Sequence, residues 1–329
     1  MTDEANDAGR ITHLERQLTL QQMRIFKAAV EHRNFTRAAD ALGVSQPAVT
    51  QQVNSMEKTF GGALFAGRGA AEVTALGSAV YQGVCRILAN VRDLDEAAAD
   101  PGQFTHGTVH VAGDNTFGTY VLPRAVAGFQ SSRPRVRIEM SVARGSSIRD
   151  RLLRRDADVG VSAHVWDDDR IVSAPLIANE LRCFGAPSHP LARRSQVRLE
   201  DLSRRVLLVR AAKSESSETV ERLFRDRGLN LDPAMEIDDN EARKRAAIEG
   251  LGVAVLSTYA VRAEVDAGLL VALGAEGFPL RRTWHSVWLR HLKLAPSAEA
   301  FRQYLCSGSW HQAERPLNTW TAPPAISSR

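Results

Sequence analysis

The chain has 329 residues, 44% of them apolar and 24% charged, with a net charge of +4. That length suits two or three domains, and the balance is that of a globular protein. No run approaches the ~20 apolar residues of a membrane span, and Met1–Arg16 lacks the apolar stretch of a signal peptide, so a cytoplasmic setting is expected. Cys85, Cys183 and Cys306 are odd in number and sit in no metal spacing. Three reduced, ordinary buried thiols are the expectation, with a redox-sensing pair as the alternative. A pI near 9.2 hints at an anionic partner, although most of the arginines read as solvated surface.

Residues 1–18 are polar and read as a loose extension. A helix is predicted over 21–32, with Met23, Phe26, Ala29 and Val30 as its inner stripe. Thr36 is a plausible N-cap for the next helix, where Ala38, Ala39 and Leu42 form a small apolar face. Gly43 ends that helix as a positive-φ glycine does. Ser45 caps the following one, and Pro47 lies in its first turn, where a missing N–H costs nothing. Val49, Val53 and Met56 face inward. Gln46, Thr50, Gln51 and Asn54 face outward, with amides and hydroxyls suited to base edges. Two closely crossing helices with a glycine turn are a helix-turn-helix, although an ordinary helical hairpin would show the same pattern.

Thr74 is the expected cap of a long helix reaching Ala99. Leu76, Val80, Val84, Ile87, Leu88, Val91 and Leu94 repeat along it at three- and four-residue spacing. Such a seam needs a partner, either a second copy or the rest of the same chain. Asp100-Pro101-Gly102 breaks the helix at a hinge. From residue 106 strands alternate with helices. Strands are expected at 107–113, 136–142, 158–162, 181–186, 205–209, 235–237, 253–256, 269–273 and 283–289. Helices are expected at 120–130, 148–154, 199–202, 216–227, 240–250, up to 266, and 297–306 with a cap at Pro296. This is the pattern of βαβ units and parallel sheet. The residues after Ser307 read as a tail in which Trp310 and Trp320 have no assigned role.

The run Leu20–Phe26, with Phe35-Thr36-Arg37-Ala38-Ala39, Ser45-Gln46-Pro47-Ala48-Val49, Glu57 and Leu64-Phe65, resembles the N-terminal domain of LysR-type transcriptional regulators. Tyr120-Val121-Leu122-Pro123, Ser188-His189-Pro190-Leu191, Asp239-Asn240-Glu241-Ala242 and Gly250-Leu251-Gly252-Val253 extend the resemblance into the effector domain. Gly277-Phe278-Pro279-Leu280-Arg281-Arg282 with Leu294-Ala295-Pro296 is most similar to regulators of carbon-fixation and sulfur-assimilation operons.

The resemblance implies an α/β protein with a winged helix-turn-helix over 19–77 and a linker and dimerisation helix over 74–99. A two-lobed effector domain, akin to periplasmic binding proteins, would comprise 106–179 with 278–307 and then 180–277, followed by a tail at 308–329. It implies that Ser45, Gln46, Pro47, Thr50 and Gln51 read bases, and that Thr36, Arg37 and the wing residue Arg68 hold phosphate. Asn54 lies on the same reading face. Promoter DNA, a small-molecule effector, RNA polymerase and further copies of the chain, as dimer or tetramer, are the implied partners. The wing departs from the family in keeping one arginine, and the reader helix is uncharged from Ser45 to Met56. A shallow salt dependence of DNA binding is therefore predicted, as is poor binding by an isolated 1–71 fragment.

In a doubly wound domain the ligand lies at the C-terminal ends of strands, beside helix N-termini. The expected walls are Asp114-Asn115-Thr116, Arg144-Gly145-Ser146, the loop Arg210 to Ser217 including Ser216, and Asp239-Asn240. Family members commonly carry a hydroxyl where Asp114 stands and an arginine in the loop at Lys213 to Ser217. Both departures weaken anion binding, since an unpaired carboxylate there would repel the ligand. Arg144, Arg210 or Lys213 would compensate by pairing with Asp114 or with the ligand; either the effector is not the small anion usual in that subgroup, or Arg144 supplies its charge.

A solute-binding module would need a signal peptide and no helix-turn-helix. No Gly-x-Ser-x-Gly, His-Glu-x-x-His, phosphate loop or Cys-x-x-Cys occurs, so neither an enzyme nor a cofactor or metal is expected. Asp167-Asp168-Asp169 reads as a solvated turn.

Overall fold

A computed structural model describes residues 17–67, 72–99, 107–204, 206–210 and 215–311. The extension through residue 16, the wing residue Arg68, the hinge at 100–102, Lys213 with Ser214 in the cleft loop, and the tail from 312, Trp320 included, lie outside the described residues. Two compact units divide between residues 99 and 107.

The described residues of the N-terminal unit include the helices α1 (Leu20–His32), α2 (Phe35–Leu42), α3 (Gln46–Phe60) and α4 (Ala75–Ala99). Thr19 and Gln22 form a reciprocal capping box at the start of α1. The cap of α2 is Asn34, not Thr36: its side-chain oxygen accepts from the Thr36 and Arg37 amides at 2.8 and 3.0 Å. Thr36 is thereby placed inside the first turn. Gly43 at φ 65° closes α2, and Ser45 accepts from the Ala48 amide to open α3. Phe26, Ala38, Ala39, Val49, Val53 and Met56 are buried in one core. Leu42, expected with Ala38 and Ala39, is 38% exposed instead.

Glu57 ties the wing to α3, its Oε1 accepting from the Leu64 and Phe65 amides at 2.8 and 3.4 Å. Phe65 packs edge-on against Phe26 and Phe35 and pairs with Val73 across the wing base. Thr74 caps α4, accepting from the Gly77 amide at 2.9 Å. Gly77 is required where it stands, because a Cβ there would lie 2.0 Å from the Leu64 carbonyl oxygen. The seam of α4 divides. Val80, Val84 and Leu88 pack into this unit's own core, whereas Leu76, Ile87 and Leu94 are exposed.

The C-terminal unit runs β1 (Gly107–Asp114), α5 (Asn115–Tyr120), α6 (Leu122–Ser132), β2 (Val136–Ala143), α7 (Gly145–Leu153), β3 (Val159–Ser162) and β4 (Ile171–Gly185). It continues α8 (Leu199–Leu202), β5 (Leu207–Val209), α9 (Glu215–Asp226), β6 (Met235–Glu236), α10 (Asn240–Ile248), β7 (Val253–Ser257), α11 (Arg262–Asp266), β8 (Val271–Ala272), β9 (Leu280–Leu289) and α12 (Pro296–Ser307). The strand order is β2-β1-β3-β9-β4-β7-β5-β6, with β8 on β4. β2-β1-β3 and β7-β5-β6 are parallel, each the centre of one lobe, while β4 and β9 run antiparallel to each other through both.

Several expectations change here. The helix expected over 120–130, beginning near Leu122-Pro123, is α6, and the short α5 ahead of it was not expected. β4 begins at Ile171, ten residues before the expected 181, so a lobe boundary at 179/180 falls inside one continuous strand. Pro296 is the first residue of α12 and not its cap. Asp168 is no solvated turn: its nearly buried carboxylate holds Arg149 at 2.6 Å and Arg170 at 2.8 Å. Trp310 belongs to the first lobe's core, buried against Phe117 and donating to the Leu305 carbonyl at 2.9 Å.

Candidate DNA-reading face and effector cleft

On α3 the apolar face is buried and the opposite face is open. Ser45, Gln46, Pro47, Gln51 and Asn54 are exposed and Thr50 is half-buried; Thr36 and Arg37 are exposed on α2. Gln46, Pro47, Thr50, Gln51 and Asn54 line one shallow hollow with Ser55 and Lys58. Thr50 and Gln46 are already engaged, Gln46 Nε2 donating to Thr50 Oγ1 at 3.0 Å and Thr50 to the Gln46 carbonyl at 3.2 Å. Lys58, absent from the expected set, brings the one charge to this hollow. It lies a full turn beyond Asn54, next to Glu57.

The C-terminal unit holds a cavity of about 390 Å³. All eight expected positions, Asn115, Thr116, Arg144, Gly145, Ser146, Arg210, Ser216 and Asn240, line it. So do His164, Trp166, Arg243, Ser257 and Arg282, which were not expected. These arrive from the segment after β3, the second turn of α10, the end of β7 and the crossing strand β9. Only Arg243 left a signal, its i, i+3 spacing from Asn240.

Asp114 does not stand unpaired before a ligand. One carboxylate oxygen caps α5, accepting from the Thr116 and Phe117 amides at 3.1 and 2.9 Å. The other accepts from the Trp284 indole N–H at 2.8 Å and the Ala163 amide at 3.3 Å. Four donors balance its charge, as buried carboxylates require. Gly113 lets α5 lie this close to β1, since a Cβ there would sit 2.7 Å from the Gly118 Cα.

Arg144 is not paired with Asp114 either. It is mostly exposed and reaches Asp238 at 3.6 Å, a distance worth little in water. With the Asn115 side-chain amide turned so that each atom meets a complementary partner, its oxygen accepts from Arg210 at 2.7 Å and its nitrogen donates to the Ala143 carbonyl at 3.1 Å. Asn240, at the start of α10 behind its Asp239 cap, donates to Thr116 Oγ1 at 3.3 Å and accepts from Arg243. Outside the cavity, the Tyr120 hydroxyl donates to Glu241 at 2.6 Å, and Lys244 pairs with Glu241 at 2.8 Å and Glu264 at 2.7 Å. Burial, then the bond to Glu241, raises the Tyr120 pKa. The first lobe's α5 is thus tied to the second lobe's α10 inside and outside the cleft.

Two of the three cysteines are buried as expected, whereas Cys306 is exposed. Cys85 and Cys183 are buried and burial pushes both thiols up, Cys85 to about 11. No group of three metal-ligating side chains occurs among the described residues, and no described helix is long and apolar enough to cross a membrane.

Residues 20–78 match the bacterial regulatory helix-turn-helix of the lysR family, and residues 102–308 match the LysR substrate binding domain. The chain is 31% identical to a RuBisCO operon transcriptional regulator of Allochromatium vinosum, over 88% of this chain and 96% of that one. Full-length CbnR complexed with target DNA has a similar fold, with a TM-score of 0.64 at 23% identity over 89% of this chain and all of that one. The regulatory domain of Synechocystis CcmR, solved in complex with 2-PG, has a TM-score of 0.57 at 25% identity, over 61% of this chain and 97% of that one. The helix-turn-helix, the long helix and the two-lobed α/β unit are therefore those of one family, and the chain is a LysR-type transcriptional regulator, not an enzyme.

Proposed function

We propose that this regulator acts in the cytoplasm on a promoter through α3, and that a small organic anion held in the cleft between the two α/β lobes controls it. The observation that carries the ligand class is the gathering of Arg144, Arg210, Arg243 and Arg282 around one cavity, beside the N-termini of α7, α9 and α10. Three carboxylates line the same cavity against these four guanidiniums: Asp114 is already balanced by four donors, Asp238 lies 3.6 Å from Arg144, and Glu218 is the third. Gln46, Pro47, Thr50, Gln51 and Asn54 meet base edges, Ser45 sits at the groove entrance, and Thr36, Arg37 and Arg68 meet phosphate. The charge at the ligand comes from Arg210 and Arg243 more than from exposed Arg144.

Assembly uses α4. Leu76, Ile87 and Leu94 are exposed along it, and burying what remains open of each stabilises by about 1 kcal/mol. A second copy supplies the apolar partner, giving a dimer and then a tetramer, and the DNA-bound assembly contacts RNA polymerase. The similarity to RuBisCO operon regulators makes 2-phosphoglycolate the first ligand to try. Added at 100 times its Kd, it stabilises the full chain by about 2.7 kcal/mol, seen as a rise in Tm that an uncharged diol of similar size does not produce. Equal stabilisation by the diol would overturn the anion reading.

A further inference from the structure

Arg243 is a cation in an unusual position, 4% exposed yet lining the cavity. Its Nη1 donates to the Val255 carbonyl at 3.3 Å and its Nη2 to the Asn240 side-chain oxygen, while Nε has no acceptor. Among the described residues no carboxylate is bonded to it: Glu241 and Glu264 pair with Lys244, while Asp238 and Asp239, just ahead of α10, act on Arg243 only through their charge. Burial, and secondarily Arg210, lowers its pKa to about 10, so it remains charged at neutral pH. A buried guanidinium is ordinarily balanced by a carboxylate or phosphate taking its N–H fork in a bidentate pair. Here a neutral amide oxygen stands at one tine and nothing at the other. The opposite end of the same amide holds Thr116 in the first lobe.

We propose that Asn240 is a placeholder: in the ligand-free protein its side-chain oxygen occupies the position of an effector oxygen, and a carboxylate or phosphoryl group displaces it to take the Nε and Nη2 donors of Arg243. The inference rests on the reading of the cleft as an anion site. It adds a direction to the signal, because Asn240 cannot leave Arg243 without altering its bond to Thr116. Occupation of the second lobe is thereby felt in the first. It also separates two roles that side by side look alike: Arg243 holds the ligand, and Asn240 competes with it.

The experiment is titration of the full chain by calorimetry with glycolate, inorganic phosphate and 2-phosphoglycolate, which tells a carboxylate from a phosphoryl occupant, paired with operator binding by mobility shift. Asn240→Ala is expected to bind the preferred anion about tenfold more tightly, the equivalent of one lost competing hydrogen bond to a charged group. Its operator complex is expected to respond less to that anion. Arg243→Gln is expected to lose about 100-fold in affinity. Arg243→Lys, which keeps the charge without the fork, is expected to lose about tenfold and guards against a folding defect in the glutamine variant. Weaker binding by Asn240→Ala would make Asn240 an ordinary ligand contact and overturn the proposal, as would unchanged binding by Arg243→Lys. If the wild-type chain binds none of the three anions, the anion reading itself falls and takes this inference with it.

Discussion

The reader helix α3 has no charged side chain from Gln46 to Met56, whereas the effector cleft gathers four guanidiniums around about 390 Å³. The helix faces a polyanion and the cleft a small solute, so the charge stands opposite to where size alone would put it. The difference lies in what each surface must discriminate. Phosphate contacts hold any sequence, while amides and hydroxyls reward only the matching base edge. A cation withdrawn from water, as Arg243 is, selects strongly between charged and uncharged solutes of one size. Specificity is built from short-range hydrogen bonds at one end and from buried charge at the other.

That contrast can be broken most severely at the joints. Gly77→Ala drives a methyl into the Leu64 carbonyl and should destabilise the N-terminal unit by about 3 kcal/mol. Urea unfolding should show this transition shifted, operator binding lost and anion binding retained; a stability like that of the wild type would mean α4 packs more loosely on the wing than described. Asp114→Ala removes the cap of α5 and strands the Trp284 N–H, costing about 2–3 kcal/mol in the C-terminal unit. Asp114→Asn keeps an oxygen for the cap and should lose about half as much, by the same unfolding measurement.

Smaller changes sharpen the contrast. Gln51→Ala should cost about 1–2 kcal/mol of operator affinity while leaving the salt slope unchanged, and Lys58→Ala should lower that slope by about one. A steep slope in the wild-type chain would refute the neutral character assigned to the reader. Tyr120→Phe, at the rim of the cleft, should cost under about 1 kcal/mol in unfolding free energy. Its effector affinity should fall about threefold, since one tie between α5 and α10 is gone.

The reader was legible because its signals are local. Gly43, Ser45 and Pro47 act within one turn of themselves, and the inward stripe of α3 follows from helical period alone. The error at Asn34 was local too: Asn34 and Thr36 both suit a cap, and two residues of register separated them. In the cleft, the wall residues at strand ends were legible from the alternation of strands and helices. The roles were not. Asp114 is settled by Trp284, 170 residues further on, so a carboxylate that reads as repulsive is in fact satisfied. The first ten residues of β4 contain Pro175 and two alanines, carry weak alternation, and gain strand structure only by pairing with β9. Arg282 reaches the cavity by that same pairing and Ser257 by the pairing of β7 with β4, neither of which a local pattern announces.

Trp166 lines the cavity, and Trp284 is hydrogen-bonded to the residue that starts its first wall. Indole emission shifts with local polarity and with the loss of a hydrogen bond, so the protein carries its own optical label at the place where the ligand enters. Filling the cleft can be followed in the unmodified chain, during the same titration in which operator DNA is released or retained.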